Sequence, residues 1–165
     1  MSVEFKDYSI QVKGAIGERA IAALYTAAEE IQSQAAANSP VDTGQLRNSW
    51  TYVVDEDALV ATIGSPLENA IWNEFGTGEY ALGGKGRKSP WYVPVEKCKG
   101  EKKPTFNGKV VVVYGKDGQA FYKTNGKQPK RSLQNAFNTK RNHVVKIFRK
   151  EMQGLDGGNS SGAKK

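Results

Sequence analysis

An alanine-rich segment from about Ala15 to Ala37 constrains the fold more than any other part of the sequence. Apolar residues recur along it at spacings of three or four, which is the pattern of one face of an α-helix. That face consists of Ile16, Ala20, Leu24, Ala27, Ile31 and Ala35. Because alanine side chains are small, the face is flat and narrow, and we expect it to pack closely on a sheet or on a second helix. Residues 1–13 show no clear period and are expected to form an arm or a short strand.

This helix is expected to end at a corner formed by residues 39–50, with the sequence SPVDTGQLRNSW. Pro40 cannot continue a helix and favours extended geometry at the residue before it. Asp42 and Thr43 are residue types that cap helices by accepting backbone N–H groups of the first turn, which predicts a short helix after them. Leu46 is then expected to point inward, and the polar residues around it stay in water, namely Gln45, Arg47 and Asn48.

Residues 73–81, with the sequence NEFGTGEYA, form a second predicted corner. Gly76 and Gly78 follow an apolar stretch directly, and glycine permits a positive φ or a close approach of two backbones. We therefore predict a positive φ at one or both of them. Glu74 stands between apolar residues, so it is expected to be partly buried and to need a partner. Arg47 or a backbone N–H group of a corner is the expected partner.

The rest of the chain predicts antiparallel strands and a final helix. Residues 50–55 and 58–63 are rich in aromatic and β-branched types and flank a polar turn, which indicates a hairpin. Residues 109–114 and 119–123 indicate a second hairpin, and residues 91–95 a strand with a proline at an edge or bulge. Residues 69–75 fit a short helix or a strand. The last helix is expected to begin at Pro129 or Ser132 and to run to about Met152.

This order of elements predicts an α+β fold, in which the long N-terminal helix and the C-terminal helix pack on one face of an antiparallel sheet. We expect one domain over residues 1–152 and a disordered Gly/Ser/Lys tail over residues 153–165. The length of 165 residues, with 38% hydrophobic and 10% aromatic content, is typical of one globular domain with its own core.

The apolar runs, the N-terminus and the cysteine content of the sequence bear on the cellular location. No apolar run approaches the length of a membrane span, and the acidic N-terminus is not expected to be a signal peptide. The single cysteine, Cys98, leaves no internal disulfide and no cluster of thiolates for zinc. It suits a reducing cytoplasm.

The charge of the chain is divided unevenly between its two halves. The net charge is +7, but residues 1–84 carry 4 Lys/Arg against 12 Asp/Glu, a net of −8. Residues 85–165 carry 20 Lys/Arg against 5 Asp/Glu, a net of +15. Two partners fit this asymmetry: nucleic acid on the basic half, or the acidic half of a neighbouring copy. Solvated surface explains it equally well, because charge maps onto faces only after folding.

Three features invite an enzymatic interpretation, and each is better explained by structure. The D-T-G triplet at residues 42–44 resembles that of the aspartic proteases, but it follows a long helix and a proline rather than a strand, so helix capping is favoured. His143, the only histidine, has no acid or nucleophile at helical spacing. Residues 83–88 lack the spacing of a phosphate-binding loop and are interpreted as a mobile basic loop. We predict no catalytic residue, no metal and no cofactor.

Three pieces of the sequence occur in an order that resembles the tail-completion family of long-tailed bacteriophages, whose members also include head–tail joining and minor tail proteins of the neck. They are P-V-D-T-G-x-L-R-x-S after a helix, an acidic residue with F-G-T-G after a pair of strands, and TNGKQPKRSLQNAF at residues 124–137. The resemblance spans roughly residues 16–152. Residues 83–107 match no fixed pattern of the family. The corner residues that carry the resemblance are Pro40, Asp42, Thr43, Gly44, Leu46, Arg47, Glu74, Phe75, Gly76, Thr77 and Gly78.

The resemblance implies a structural virion protein without enzymatic activity, assembled in the host cytoplasm. It would form a homo-oligomeric ring at the neck or upper tail end, six-fold by preference and twelve-fold as the alternative, which completes the tail and joins it to the head. Its expected partners are adjacent neck and tail-tube proteins and the genomic DNA in the channel, with no membrane. A basic nucleic-acid-binding module is the alternative function, and an aspartic hydrolase is a more distant one.

Residues expected to contact a neighbouring subunit or DNA follow from the charge pattern. Acidic residues of the first helix are expected to meet basic residues of the last helix of the next subunit, which would favour head-to-tail order. These are Glu29 and Glu30 on the acidic side, and Lys140, Arg141 and Arg149 on the basic side. The basic loop contributes Lys85, Arg87 and Lys88.

Overall fold

The computed structural model describes residues 9–98 and 102–153. The first helix, α1, spans Ser9–Asn38 and buries alanines and one isoleucine along its middle and end, namely Ala23, Ala27, Ala28, Ile31 and Ala35. The predicted helix is therefore confirmed, although Ile16 is 43% exposed. The expectation of an arm or strand before residue 14 is wrong for residues 9–13, which are helical. A helix that has nucleated adds residues at one hydrogen bond each, so its first turns need no buried face. Residues 1–8 lie outside the described residues.

The last helix, α3, spans Ser132–Gln153 and lies antiparallel against α1. Arg19 on α1 meets Glu151, whereas Asn38 at the end of α1 donates a 3.1 Å hydrogen bond to the carbonyl of Ser132 at the start of α3. The expected start at Ser132 and end near Met152 are confirmed. The expected tail beyond Gln153 lies outside the described residues.

In the described part of the chain, the strands form two small antiparallel sheets. β1 (Thr51–Asp55) and β2 (Val60–Gly64) make a hairpin, and α1 packs on it. β3 (Trp91–Pro94), β4 (Val111–Tyr114) and β5 (Ala120–Thr124) make a second sheet in the order β3-β5-β4. β3 is therefore an edge strand, which explains how it tolerates a proline. The α+β class is confirmed, while the strands are divided between two sheets rather than joined in one.

A short helix, α2, spans Glu68–Phe75 and links the two sheets, and it contacts α3. One-turn 3-10 helices lie at Arg47–Ser49, Gly78–Tyr80 and Val95–Lys97. No helix in the described part of the chain is long and apolar enough to cross a membrane.

Trp50 fixes the first corner to the helix pair. Its side chain is buried with Ile31, Ala35 and Ala136, so it joins α1 and α3 to the start of the hairpin. Its indole N–H donates a 2.7 Å hydrogen bond to the hydroxyl of Ser39, and that hydroxyl donates to the carbonyl of Ala35 at 2.8 Å. The corner after α1 therefore has one orientation relative to the core.

Candidate functional site

The first corner does not contain the predicted capped helix. Its 3-10 helix begins at Arg47 after Leu46 at the N-cap position, and no side chain caps it. The hydroxyl of Thr43 instead lies 3.4 Å from the backbone nitrogen of Gln45. Gly44 has a φ of 79°, which interrupts helical geometry directly after Asp42 and Thr43. The assignment of those two side chains to a helix cap is therefore wrong.

The predicted exposure within this corner agrees with the structure. Leu46 is half-buried, and its polar neighbours are exposed, namely Gln45, Arg47 and Asn48. The backbone N–H of Asn48 donates to the carbonyl of Gly44 at 3.0 Å, which closes the turn.

Both glycines of the second corner have positive φ, 73° at Gly76 and 61° at Gly78, as predicted. A side chain at Gly76 would lie 2.9 Å from the carbonyl oxygen of Lys127, and one at Gly78 would lie 2.7 Å from the ring of Trp91. The backbone N–H of Thr77, which lies between them, donates to the carbonyl of Lys127 at 2.9 Å, and the backbone N–H of Lys127 donates to the hydroxyl oxygen of Thr77 at 3.0 Å. The F-G-T-G corner is therefore packed directly on the loop that leads into α3.

Glu74 caps α3 from outside that helix. Its carboxylate oxygens accept hydrogen bonds from the backbone N–H groups of Leu133 and Gln134, both at 2.9 Å. Those N–H groups belong to the first turn, where a helix favours negative charge, and the first turn of α3 has no acidic residue of its own. The expected partner Arg47 is wrong, and the N–H groups come from α3 rather than from a corner.

A buried polar junction, defined by Asn38, Asn73 and Ser132, joins α1, α2 and α3. Asn73 and Ser132 are fully buried. The amide of Asn73 donates to the hydroxyl of Ser132 at 2.9 Å, and that hydroxyl lies 3.3 Å from the carbonyl of Asn38. The backbone carbonyl of Asn73 also accepts a 2.7 Å hydrogen bond from the backbone N–H of Lys130. Because buried polar groups require partners, this junction fixes how the three helices meet.

Asn125 holds the other side of the second corner, and sequence reasoning missed it. Its amide nitrogen lies 2.8 Å from a carboxylate oxygen of Glu79 and 3.0 Å from the amide oxygen of Asn107. Its backbone carbonyl accepts from the N–H of Glu79 at 2.9 Å. An asparagine before a glycine, in a loop rich in polar residues, was the available signal for such a turn.

A cleft of about 750 Å³ lies between the first corner and the second sheet. Residues 40–46 form one wall and residues 102–105 another, and Trp91 and Val93 also line it. Four lysines line it, namely Lys102, Lys103, Lys127 and Lys130. We call this the lysine cleft.

Lys127 reaches from the cleft to the polar junction. Its ammonium group lies 3.3 Å from the amide oxygen of the buried Asn73. Burial lowers the pKa of Lys127, and the like charges of Lys130 and Lys102 lower it further. The cleft therefore concentrates positive charge, and an anionic group placed there would relieve the repulsion.

The structure brings together six of the eleven predicted corner residues, which line the lysine cleft. These are Pro40, Asp42, Thr43, Gly44, Leu46 and Thr77. Phe75 and Arg47 are exposed instead. The three pieces of sequence behind the family resemblance thus meet at the polar junction and the lysine cleft.

The basic loop is more closely attached than its composition predicts. A side chain at Gly86 would collide with the backbone of Gly78, so the loop passes directly over the second corner. Arg87 lies 5.7 Å from the ring centroid of Trp91, and its guanidinium contacts Ser89 at 3.1 Å. Lys85 and Lys88 are exposed.

Some charged residues of α1 and α3 pair with each other within the subunit. Glu30 accepts a 2.7 Å hydrogen bond from Lys140 of the same chain, and its other oxygen lies 3.9 Å from His143. The hydrogen bond from Lys140 lowers the pKa of Glu30 against the opposing effect of desolvation. The expectation that Glu30 and Lys140 meet across a subunit boundary is therefore wrong, because antiparallel packing brings them together in one chain.

The other predicted contact residues on these helices face solvent. Glu29 on α1 and Arg141 and Arg149 on α3 are exposed. They stay candidates for contact with another molecule.

Large apolar side chains are exposed on α2 and beside it. Ile71 is 60% exposed, Trp72 49% and Phe75 55%. Leu82 is also exposed, and its backbone N–H donates to the carbonyl of Phe75 at 2.9 Å. We call these four residues the α2 apolar face. Apolar side chains clustered in this way are typical of surfaces that another molecule covers.

Part of the chain is similar to a known protein family. Residues 4–76 match the model of a family described as "Bacteriophage HK97-gp10, putative tail-component". Residues 4–76 are therefore similar to a phage tail component. This segment covers less than half of the chain and includes α1, the hairpin and α2 up to the first glycine of the second corner. No curated protein and no solved structure matches the chain significantly.

The match agrees with the resemblance found in the sequence, because both concern proteins of the bacteriophage tail. Among residues 9–98 and 102–153 there is no group of three or more His, Cys, Asp or Glu side chains arranged to hold a metal ion.

Proposed function

We propose that this protein is a bacteriophage tail component that assembles into a ring of identical subunits around the DNA channel, at the neck or the upper end of the tail. The ring completes the tail and joins it to the head, and the protein has no enzymatic activity. The match of residues 4–76 to a tail-component family is the observation that carries the proposal.

Two features of the subunit support assembly. The polar junction and the Glu74 cap fix α1, α2 and α3 in one arrangement, as a building block needs. The α2 apolar face leaves Ile71, Trp72 and Phe75 in water in the isolated subunit, and a neighbouring copy would remove them from it. Head-to-tail contacts that close on themselves give a cyclic ring, and the resemblance implies six copies by preference and twelve as the alternative.

The proposed partners follow from that position. Adjacent neck and tail-tube proteins would contact the two ends of the ring, and genomic DNA would pass through its channel. Exposed cations such as Lys85, Lys88 and Arg149 are available to the DNA backbone.

The test of function is electron microscopy of particles produced by a phage that lacks this protein. We expect DNA-filled heads and full-length tails that are not joined, and restoration of joined particles when the protein is supplied. Absence of heads, or normal joined virions, would contradict the proposal.

The test of assembly uses the α2 apolar face. Trp72→Glu and Phe75→Glu in one chain should abolish the ring, because both side chains would carry charge into a contact. Ile10→Glu is the matched control, since Ile10 is 84% exposed on the first turn of α1. The mass of the assembled protein in solution reports the result. A doubly substituted protein that still forms rings would exclude the α2 apolar face from the contact.

A further inference from the structure

We propose that the lysine cleft of one subunit binds the acidic hairpin tip of a neighbouring copy. The hairpin tip is defined as residues 55–60, which connect β1 to β2. The inference rests on the proposed ring, and it names two surfaces that contribute to the head-to-tail contact in addition to the α2 apolar face.

The tip offers negative charge on a rigid support. Asp55, Glu56 and Asp57 are consecutive and exposed. A carboxylate oxygen of Asp55 accepts the N–H of Ala58 at 2.9 Å, which closes the turn. A carboxylate oxygen of Glu56 accepts the hydroxyl of Tyr25 on α1 at 2.9 Å. A ligand held in one conformation before it binds loses less entropy on binding, so this tip is suited to recognition.

The lysine cleft offers the complementary charge together with apolar surface. Its lining combines four lysines and one acidic residue, Asp42, with the apolar residues Val41, Leu46, Trp91 and Val93. The tip combines its three carboxylates with Leu59, which is 45% exposed, and Val60, which is 51% exposed. Carboxylates and aliphatic side chains at one turn therefore match cations and apolar residues in one cleft.

The mixed lining favours a protein segment over nucleic acid. A phosphate backbone would use the lysines but not the apolar walls. The cleft volume of about 750 Å³ falls in the range of about 300–1,000 Å³ typical of clefts that enclose a small ligand. That is room for a turn, whereas a double helix is too wide to enter.

The tip cannot occupy the cleft of its own chain. The hairpin begins at Thr51, close to the corner residues that line the cleft. Its two strands pair without interruption from Thr51 opposite Gly64 to Asp55 opposite Val60. Four residues of extended chain separate the base from the tip, or about 13 Å. The bond from Tyr25 also holds Glu56 beside α1. Contact between tip and cleft is therefore a contact between two copies through different surfaces, which closes into a ring or continues as a stack.

The test uses two charge-reversed proteins. The tip variant carries Glu56→Lys and Asp57→Lys, and the cleft variant carries Lys102→Glu and Lys130→Glu. All four side chains are exposed, so thermal unfolding should be close to that of the parent. Each variant alone should self-associate more weakly, on the order of tenfold, as measured by sedimentation.

Mixing the variants makes the test specific. The cleft variant keeps an intact tip and the tip variant an intact cleft, and the two reversed surfaces also carry opposite charges, so the mixture should regain assembly with the two chains alternating. A chain carrying all four substitutions should assemble like the parent. Lys146→Glu with Lys150→Glu on α3 is the control, with the same change of charge away from the cleft.

A covalent readout does not depend on affinity. In a Cys98→Ser background, a chain with Asp57→Cys and a chain with Lys130→Cys should form a disulfide between chains on mild oxidation. Neither chain alone should do so at a comparable rate.

The remaining outcomes would each contradict the proposed ring, the proposed contact or both. If the parent protein does not self-associate, both the ring and this contact are wrong. If the parent forms rings and both variants do so equally well, the ring stands and the contact is wrong. If the cleft variant loses binding to a short DNA duplex but assembles normally, the cleft binds nucleic acid instead.

Discussion

Removal of the Glu74 carboxylate should measurably destabilise the fold, because this side chain holds the start of α3 from α2. Its two oxygens each accept a backbone N–H at 2.9 Å, from Leu133 and Gln134. Hydrogen bonds to a charged group contribute about 1.5–3 kcal/mol each when protected from water. Glu74 is half-buried, so water replaces part of that contribution, and residues that cap a helix are worth about 0.5–2 kcal/mol. We expect Glu74→Ala to lower the free energy of unfolding by about 2 kcal/mol.

Glu74→Gln separates charge from hydrogen bonding. It keeps one acceptor oxygen but places an amide N–H₂ group against the second backbone N–H, so we expect a loss of about 1 kcal/mol. Glu18→Gln is the matched control on the exposed side of α1 and should change stability by less than about 0.5 kcal/mol. Urea unfolding followed by circular dichroism gives these free energies, and Glu74→Ala should lower Tm by roughly 4–8 °C. A Glu74→Ala protein within about 0.5 kcal/mol of the parent would refute the capping role.

Three further predictions concern other parts of the chain. Gly78→Val should prevent stable folding, because the added side chain would collide with neighbouring residues. Gly14→Ala lies at an open position in α1 and should raise the free energy of unfolding by about 0.5–1 kcal/mol. Melting curves of Gly78→Val and the parent that coincide would contradict the close approach at Gly78. Because the folded-state pKa of Glu30 is depressed, its contribution is present above the unfolded pKa and is lost as pH falls through the folded one. Glu30→Gln should therefore differ from the parent by at most about 1 kcal/mol at neutral pH, and the difference should vanish well below about pH 4 in acid unfolding. Residues 83–89 should exchange amide hydrogens faster in the free subunit than in the assembled ring, and equal protection in both states would be the contrary result.

Local patterns predicted the elements of this fold well. The three-or-four spacing of α1, the polar turn between β1 and β2, and the start of α3 after Pro129 are all visible within a few neighbouring residues. The positive φ at Gly76 and Gly78 was also accessible, because glycines placed directly after an apolar run mark a backbone that turns sharply or packs closely.

Two of the errors concern contacts between distant residues. Glu74 lies 59 residues from Leu133 in the sequence, and Glu30 lies 110 residues from Lys140. Spacing along the chain does not predict such pairs, because they form only when the helices pack against each other. Asp42 has the right residue type for a cap, but the left-handed geometry at Gly44 changes the direction of the chain.

The meeting of the three helices at the polar junction also limits how far the chain can be shortened. The family match ends at Gly76, yet Asn73 and Glu74 find their partners on α3, more than fifty residues later. A fragment ending there would keep a buried asparagine and a carboxylate without the groups that satisfy them, and Trp50 would lose the cover of Ala136. The matched segment is therefore not an independent folding unit. Excision or fusion experiments need to retain the sequence through the end of α3, even where no family pattern describes it.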